Sequence, residues 1–167
     1  PPESHTINST YSLSNRIYAS GNMALEAMKF YAEATNESSF AKIILQEDDN
    51  GIPGEEIHSW NIDVNSESHG NNYFLIITTD LCIYLYEDNY YWLTMHAANE
   101  ESEINWLYSN NSTFTFTSNL GLDSNWDEPS IGNCGSLSVW AEYIYEAEIT
   151  EEVLGDLNSD GAVNVLD

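Results

Sequence analysis

Basic residues are nearly absent from this chain. Its 167 residues include three Lys and Arg against 28 Asp and Glu, which gives a formal net charge of −25. The three basic residues are Arg16, Lys29 and Lys42. A surface this negative repels nucleic-acid phosphates and anionic lipid headgroups, so we expect no nucleic-acid partner. The same charge concentrates divalent cations, which suits a saline or calcium-rich setting.

Long apolar segments are lacking as well. The run at 73–77 is among the longest, and a helix that crosses a bilayer needs about 20 apolar residues. We therefore expect no membrane insertion. No signal peptide is visible, and the first residues read as a mature or trimmed start of an exported protein.

Cysteine is scarce, with only Cys82 and Cys134 present. A disulfide between them would close a loop of about 50 residues and stabilise the fold by about 4 kcal/mol in the chain-entropy model. Two free buried cysteines are the alternative, and the sequence does not choose between them. Neither cysteine has the CxxC spacing typical of a metal or redox site.

The abundant residues indicate a folded all-β protein. Hydrophobic residues make up 42% of the chain, with 11 Tyr, 5 Trp and 5 Phe, which excludes a disordered acidic polymer. Short aromatic and β-branched runs alternate with clusters of Asn, Asp and Gly, as in sandwiches and barrels. The predicted strands lie at 39–46, 56–64, 73–79, 81–86, 90–97, 106–108, 113–117 and 137–149, and the first two form a hairpin. With the segment 22–34, this makes about nine strands.

The segment 22–34 satisfies two different patterns. Met23, Ala27, Phe30 and Ala34 follow helical spacing, and the segment is rich in residues that favour helices. Met28, Phe30 and Ala32 also alternate with polar residues, as in a strand. Local propensity predicts a helix, whereas the surrounding strands favour a strand.

The C-terminal segment has the pattern of a calcium-binding loop. Oxygen-bearing residues stand at loop positions 1, 3, 5, 9 and 12 of 156–167, and Gly161 at position 6 permits the sharp turn. A hard cation such as Ca²⁺ takes six to eight oxygen ligands, which a 12-residue loop supplies at these offsets. The predicted ligands are Asp156, Asn158, Asp160, the carbonyl of Ala162, Asn164 and Asp167.

The segment 155–167, Gly-Asp-Leu-Asn-Ser-Asp-Gly-Ala-Val-Asn-Val-Leu-Asp, resembles the first half of a type I dockerin repeat. The resemblance implies calcium binding, an extracellular location and docking onto cohesin modules. Dockerins carry two loop–helix units, and the sequence stops at position 12 of the first loop. A cohesin partner is therefore expected only if the natural chain continues past residue 167.

A second resemblance covers roughly residues 15–149. The hairpin sequence at 48–54, Asp-Asp-Asn-Gly-Ile-Pro-Gly, and the later pair Tyr91-Trp92 resemble jelly-roll modules of large secreted bacterial proteins. The resemblance implies a jelly-roll-like β-sandwich and makes 25–34 a strand. We thus expect an N-terminal extension at 1–14, a β-sandwich domain at 15–150 and the truncated dockerin-like loop at 151–167.

The sequence lacks the usual catalytic constellations. No strand pattern aims two carboxylates across a cleft, as a jelly-roll glycosidase would require. The four histidines have no HxH or HExxH spacing, and no nucleophile elbow, phosphate loop or dinucleotide motif is present. With 28 acidic residues, closely spaced acids arise by chance, so we expect a non-catalytic protein.

Sugar binding is the preferred function. Carbohydrate-binding proteins present Trp and Tyr rings as flat platforms surrounded by polar side chains. Trp126 lies in a polar loop between Asn125 and Asp127, so these three residues are the predicted ligand-binding group. Trp92 and Trp106 lie in strand patterns and are expected in the core.

A second calcium site is predicted at Asp48, Asp49 and Asn50, where oxygen ligands crowd into one tight turn. The alternative is a solvated hairpin tip in which Asn50 and Gly51 serve the turn alone.

Together these features predict a secreted, calcium-associated binding or adhesion module at the cell surface that contacts polysaccharide or a surface protein. The alternative is an extracellular filament subunit, a homo-polymer held by Ca²⁺ and strand exchange. Either 10–14 or 161–165 is extended enough to add to the sheet edge of another copy.

Overall fold

The computed structural model describes residues 3–67, 72–109, 113–120 and 125–145, and this part of the chain is built almost entirely from antiparallel strands. The strands are β1 (Glu3–Ile7), β2 (Ser12–Tyr18), β3 (Met23–Phe30), β4 (Ala32–Ala34), β5 (Phe40–Asp49), β6 (Ile52–Asp63), β7 (Phe74–Ile77), β8 (Tyr84–Leu85), β9 (Tyr90–Ala97), β10 (Ile104–Tyr108), β11 (Thr113–Asn119), β12 (Ser130–Asn133) and β13 (Leu137–Tyr143). A single helical turn, α1 (Val64–Glu67), and a 3₁₀ turn at Thr79–Leu81 complete the elements. The predicted all-β class is confirmed.

The largest sheet has six strands in the order β12-β11-β2-β9-β5-β6. Its longest pairing is the predicted hairpin of β5 and β6, whose tip places Asn50 and Gly51 at positive φ angles of 55° and 94°. Two adjacent residues with positive φ make the tight connection that matches the right-handed twist of a hairpin.

Two smaller sheets complete the fold. One has the order β1-β10-β4, and the other has the order β13-β3-β7 with β8 also paired to β3. Backbone hydrogen bonds join the two sheets between β3 and β4, where Tyr31 donates to Ser136 at 3.1 Å and accepts from Leu107 at 2.8 Å. A single core cluster takes side chains from all three sheets.

The centre of the core is aromatic. Phe30 and Phe74 stack with their ring centroids 5.2 Å apart, and the ring of the fully buried Trp106 lies 5.7 Å from Phe30. Gly135 packs directly on the Trp106 ring, because a Cβ atom added at this glycine would lie 2.1 Å from Cδ2 of the tryptophan. Large aromatic side chains thus supply much of the buried area that stabilises the fold.

The doubtful segment 22–34 is extended, so the strand interpretation is confirmed. It contributes β3 and β4 to different sheets, and the break between them is at Tyr31. The segment forms a strand despite its helical propensity. In the extended conformation the alternate residues Met28 and Phe30 are buried in the core, and β3 is hydrogen-bonded to strands on both sides.

Within the segment 1–14, expected to form an N-terminal extension, residues 3–7 and 12–14 belong to strands of the sheets. β1 pairs with β10, and Ser14 lies in β2 between β9 and β11. Strand exchange through 10–14 would therefore have to remove β2 from the middle of the six-stranded sheet. The alternating residues at 10–14, which suggested a strand free to pair with another copy, lead into a strand that is paired within the same chain.

Other strand boundaries differ from the prediction. In the run 81–86 only Tyr84–Leu85 is a strand, because the 3₁₀ turn precedes it and Cys82 has a positive φ of 51°. β13 ends at Tyr143, and 146–149 lie outside the described residues. Three strands, β1, β2 and β12, lie outside the nine predicted runs, since their short or polar sequences lack a clear apolar face.

Candidate functional site

β9 sends its side chains alternately to the two faces of the six-stranded sheet. Leu93 and Met95 enter the core, whereas Trp92 and Thr94 lie on the opposite face and are fully buried there as well. The predicted burial of Trp92 and Trp106 is confirmed. This second face holds the polar groups described next.

A hydrogen-bonded polar row crosses the middle of this face. The Thr94 hydroxyl donates to Oε1 of Gln46 at 2.6 Å and lies 2.7 Å from the Ser14 hydroxyl. Nε2 of Gln46 then donates to the carbonyl of Gly54 at 2.9 Å. Since all three side chains are buried, this row stabilises the sheet and does not itself face a ligand.

His96 occupies one end of the row. Its Nδ1 is hydrogen-bonded to the hydroxyl of Ser12, and its ring centroid lies 6.1 Å from that of Trp126. The pKa of His96 is lowered from 6.5 to about 4, mainly by burial and in smaller part by the nearby Lys42 ammonium. The imidazole is therefore neutral at physiological pH.

Asp48 organises the other end of the row. Its Oδ1 accepts from Nε1 of Trp92 at 2.8 Å and lies 2.9 Å from Nε of Arg16, while Oδ2 accepts from the backbone N–H of Gly51 at 3.0 Å. The Arg16 guanidinium in turn lies over the ring of Tyr90, 3.8 Å from its centroid. The Asp48 carboxylate thus fixes the hairpin tip, the buried indole of Trp92 and the Arg16 guanidinium that lies on the Tyr90 ring.

Beside this arrangement lies an open cavity of about 290 Å³, here called the tyrosine cleft. Its lining residues are Glu47, Asp48, Tyr86, Asp88, Asn89, Tyr90 and Tyr91. They come from the end of β5, the start of β9 and the turn before β9. Tyr86 and Tyr90 are 60% and 44% exposed. The Tyr90 ring also contacts the Arg16 guanidinium and the Tyr18 ring, whose centroid lies 5.0 Å away, so Tyr86 is the more open of the two rings.

The turn that forms the cleft wall is held from several directions. The Tyr18 hydroxyl donates to Oδ1 of Asp88 at 2.6 Å, and this hydrogen bond is the main reason why the pKa of Tyr18 is raised. The Tyr91 hydroxyl accepts from the backbone N–H of Tyr86 at 2.8 Å. Ala19 exchanges backbone hydrogen bonds with Asp88 and Asn89. The cleft is therefore preformed, which limits the entropy lost when a ligand binds.

The chemistry of the cleft favours a polyhydroxylated or positively charged ligand. Tyrosine rings offer flat apolar faces, and carboxylate and amide groups surround them with hydrogen-bond acceptors and donors. The predicted strands at 81–86 and 90–97 imply a connection between them but not a site, because only the fold brings Glu47 and Asp48 beside that connection. The tyrosines flanking the turn were the available signal.

The predicted ligand group at Trp126 lies away from this cleft. Trp126 is half-buried near His96 rather than exposed, whereas Asn125 and Asp127 are exposed. Asp127 is tied to β11, since its carboxylate accepts from the Ser118 hydroxyl at 2.7 Å and its backbone N–H donates to the Ser118 carbonyl at 2.9 Å. Part of the Trp126 ring, which was expected to be a free platform for a sugar, therefore packs near His96 on the sheet.

Three side-chain oxygens of the predicted second calcium site are engaged with protein donors. Both oxygens of Asp48 are engaged as described, and Oδ1 of Asp49 accepts from Nδ2 of Asn50 at 2.8 Å. Among the described residues, no group of three or more His, Cys, Asp and Glu is placed to hold a metal ion. Residues 48–51 form the tip of the β5–β6 hairpin, where Asn50 and Gly51 have positive φ angles.

The predicted C-terminal calcium loop, with Asp156, Asn158, Asp160, Ala162, Asn164 and Asp167, lies outside the described residues.

The two cysteines are free thiols in this structure, with Cys82 exposed and Cys134 buried. The disulfide that the sequence allowed is not formed, and only one of the two is a buried free cysteine. The Cys134 thiol is hydrogen-bonded to Oδ1 of Asn15, and burial raises its pKa to about 12.

Within the described ranges, no helix is long and apolar enough to span a membrane. Comparison of the chain with protein-family models, curated proteins and solved structures gives no match.

Proposed function

We propose that this protein is a secreted, non-catalytic binding module whose tyrosine cleft holds a segment of polysaccharide. The observation that carries the proposal is the cleft itself, a preformed cavity in which the exposed Tyr86 and Tyr90 rings stand beside Asp88 and Asn89. Its volume of about 290 Å³ is near the lower end of pockets that hold small ligands, about 300 Å³. It suits a short stretch of a longer chain.

The chemistry of sugars supports the choice of ligand. One face of a pyranose ring is largely C–H and packs on an aromatic ring, while its hydroxyls seek acceptors and donors at the rim. In the cleft, Tyr90 has one ring face on the Arg16 guanidinium, which fixes its orientation. Asn89 and Glu47 stand at the rim and supply polar groups.

The test is affinity electrophoresis and calorimetry against a panel of soluble polysaccharides. Tyr86→Ala and Tyr90→Ala should each weaken binding by about 1–2 kcal/mol, because each removes an aromatic contact. Trp140→Ala is the matched control, since Trp140 is similarly exposed at 46% but lies on β13 in another sheet.

Three outcomes of this test are informative. Loss of binding with Trp126→Ala, but not with the cleft variants, would move the site to the position the sequence favoured. Failure to bind any polysaccharide would refute the proposed function. Release of reducing sugar from a bound polysaccharide would overturn the non-catalytic assignment.

The finer features of the proposal are a jelly-roll-like sandwich, a calcium-binding C-terminal loop and an extracellular location. The loop carries its own test, since Asp156→Ala combined with Asp160→Ala should abolish one Ca²⁺ equivalent in calorimetry. We expect a weak site, on the order of 10⁻⁴ to 10⁻³ M, as in extracellular modules. Absence of that equivalent in the unmodified protein would refute the loop.

A further inference from the structure

The tyrosine cleft carries an excess of negative charge. Glu47, Asp48 and Asp88 line it, and Arg16 is the basic group paired with one of them. Three carboxylates and one guanidinium give a formal charge of −3 + 1 = −2 at the cleft. A neutral sugar gains nothing from this charge, a uronic acid is repelled by it, and a cationic group is attracted.

Two of these carboxylates have oxygens available to a ligand. Asp48 is occupied by Arg16, Trp92 and Gly51. Oδ1 of Asp88 is taken by Tyr18, which leaves Oδ2 without a donor within the described part of the chain. The exposed carboxylate of Glu47 likewise has no hydrogen-bond partner there.

The protein already places cations on its tyrosine rings. The Arg16 guanidinium lies 3.8 Å from the centroid of Tyr90. On another sheet, Nζ of Lys29 lies 3.8 Å from the centroid of Tyr73 and 4.6 Å from that of Tyr31. Two of the three basic side chains therefore rest on the faces of tyrosines, where the ring quadrupole attracts positive charge.

We infer that the tyrosine cleft selects polysaccharides that carry free, protonated amino groups. In this arrangement a sugar ring packs on Tyr86 or Tyr90, and its ammonium group lies between Glu47 and Asp88. The inference rests on the proposed polysaccharide-binding function and adds the class of sugar. N-acetylation would remove both the charge and the donors that the carboxylates require.

The experiment compares oligomers of equal length made of glucosamine, N-acetylglucosamine, glucose and galacturonate. Calorimetry is run at a mildly acidic pH at which the sugar amines are protonated, at constant ionic strength and constant Ca²⁺. We expect the glucosamine oligomer to bind about tenfold more tightly than the N-acetylated and glucose oligomers, through two charged contacts. The galacturonate oligomer should bind least. Added salt should weaken binding of the glucosamine oligomer and leave that of the glucose oligomer nearly unchanged.

Two variants remove charge without disturbing the fold. Asp88→Asn keeps an acceptor for Tyr18, and Asn tolerates the positive φ of 62° at this position. Glu47→Gln changes an exposed side chain. Each should weaken binding of the glucosamine oligomer about threefold, and by a larger factor than it weakens binding of the glucose oligomer. An equal loss for both oligomers would contradict the charge-based selectivity. Glu33→Gln on β4, in the three-stranded sheet, is the matched control and should change neither.

Equal or tighter binding of the neutral oligomers would overturn the selectivity while leaving polysaccharide binding intact. Binding of a lysine oligopeptide more tightly than any oligosaccharide would also overturn it and indicate a basic polypeptide as the ligand. If no oligosaccharide binds at all, the proposed function fails together with this inference, so the two failures are distinguishable.

Discussion

His96 makes the stability of this protein depend on pH in a defined interval. The folded protein resists protonation of His96 until about pH 4, whereas a histidine in the unfolded chain has its ordinary pKa of 6.5. The stability that the fold gains from holding His96 neutral is complete above about pH 6.5. It is lost as the pH falls from 6.5 towards 4, because the unfolded chain then binds a proton that the folded protein excludes. The full difference between the pKa of the unfolded and the folded state corresponds to about 3 kcal/mol of stability, of which about 2 kcal/mol is lost by about pH 5.

The assay is urea unfolding at several pH values of the natural protein and of His96→Gln. Subtracting one free energy of unfolding from the other cancels the carboxylates that titrate over the same interval. The difference should shift by about 2 kcal/mol between about pH 7 and pH 5, in favour of the variant at the lower pH. Ser12→Ala should retain this pH dependence, because burial is the main cause and the Ser12 hydrogen bond is not. A difference that is constant with pH would refute the reasoning.

Two further predictions concern packing and thiol chemistry. Gly135→Ala should lower the free energy of unfolding by about 1–3 kcal/mol, because the new methyl group would overlap the ring of Trp106, and Gly132→Ala should be nearly neutral, because its nearest neighbour would lie at 3.4 Å. Thermal unfolding of the two variants measures both, and equal stability would contradict the packing. A thiol reagent should modify only Cys82 in the native protein, because Cys134 is buried with its pKa raised to about 12, and should modify both residues in denaturant. Detection of no thiol in denaturant would instead show a disulfide.

The pairing of β5 with β6 could be predicted from the sequence, because its determinants are local. Alternating residues mark each strand, and Asn50-Gly51 supplies the turn. The boundary at residue 14 could not be predicted in the same way. β2 contains polar residues such as Ser14 on one face and Asn15 on the other, and these are buried only because neighbouring strands supply their hydrogen-bond partners.

The same contrast between local patterns and contacts formed only in the fold applies to the candidate site. Trp126 stands out in the sequence because a large aromatic residue in a polar segment suggests exposure, but its exposure depends on what the sheet places beside it. The cleft depends on contacts between segments far apart in sequence, such as Tyr18 with Asp88 and Arg16 with Asp48. No local pattern encodes these contacts.

The sequence by itself determined the class of this protein. The excess of acidic residues sets its charge, and the period of its apolar residues sets the strands, because both properties reside in single residues and their nearest neighbours. Only the tertiary structure decided which polar residues are buried, which tryptophans are exposed and where a cleft opens. Those properties arise when distant strands are brought together, and their free energies come from contacts between segments that the sequence keeps apart.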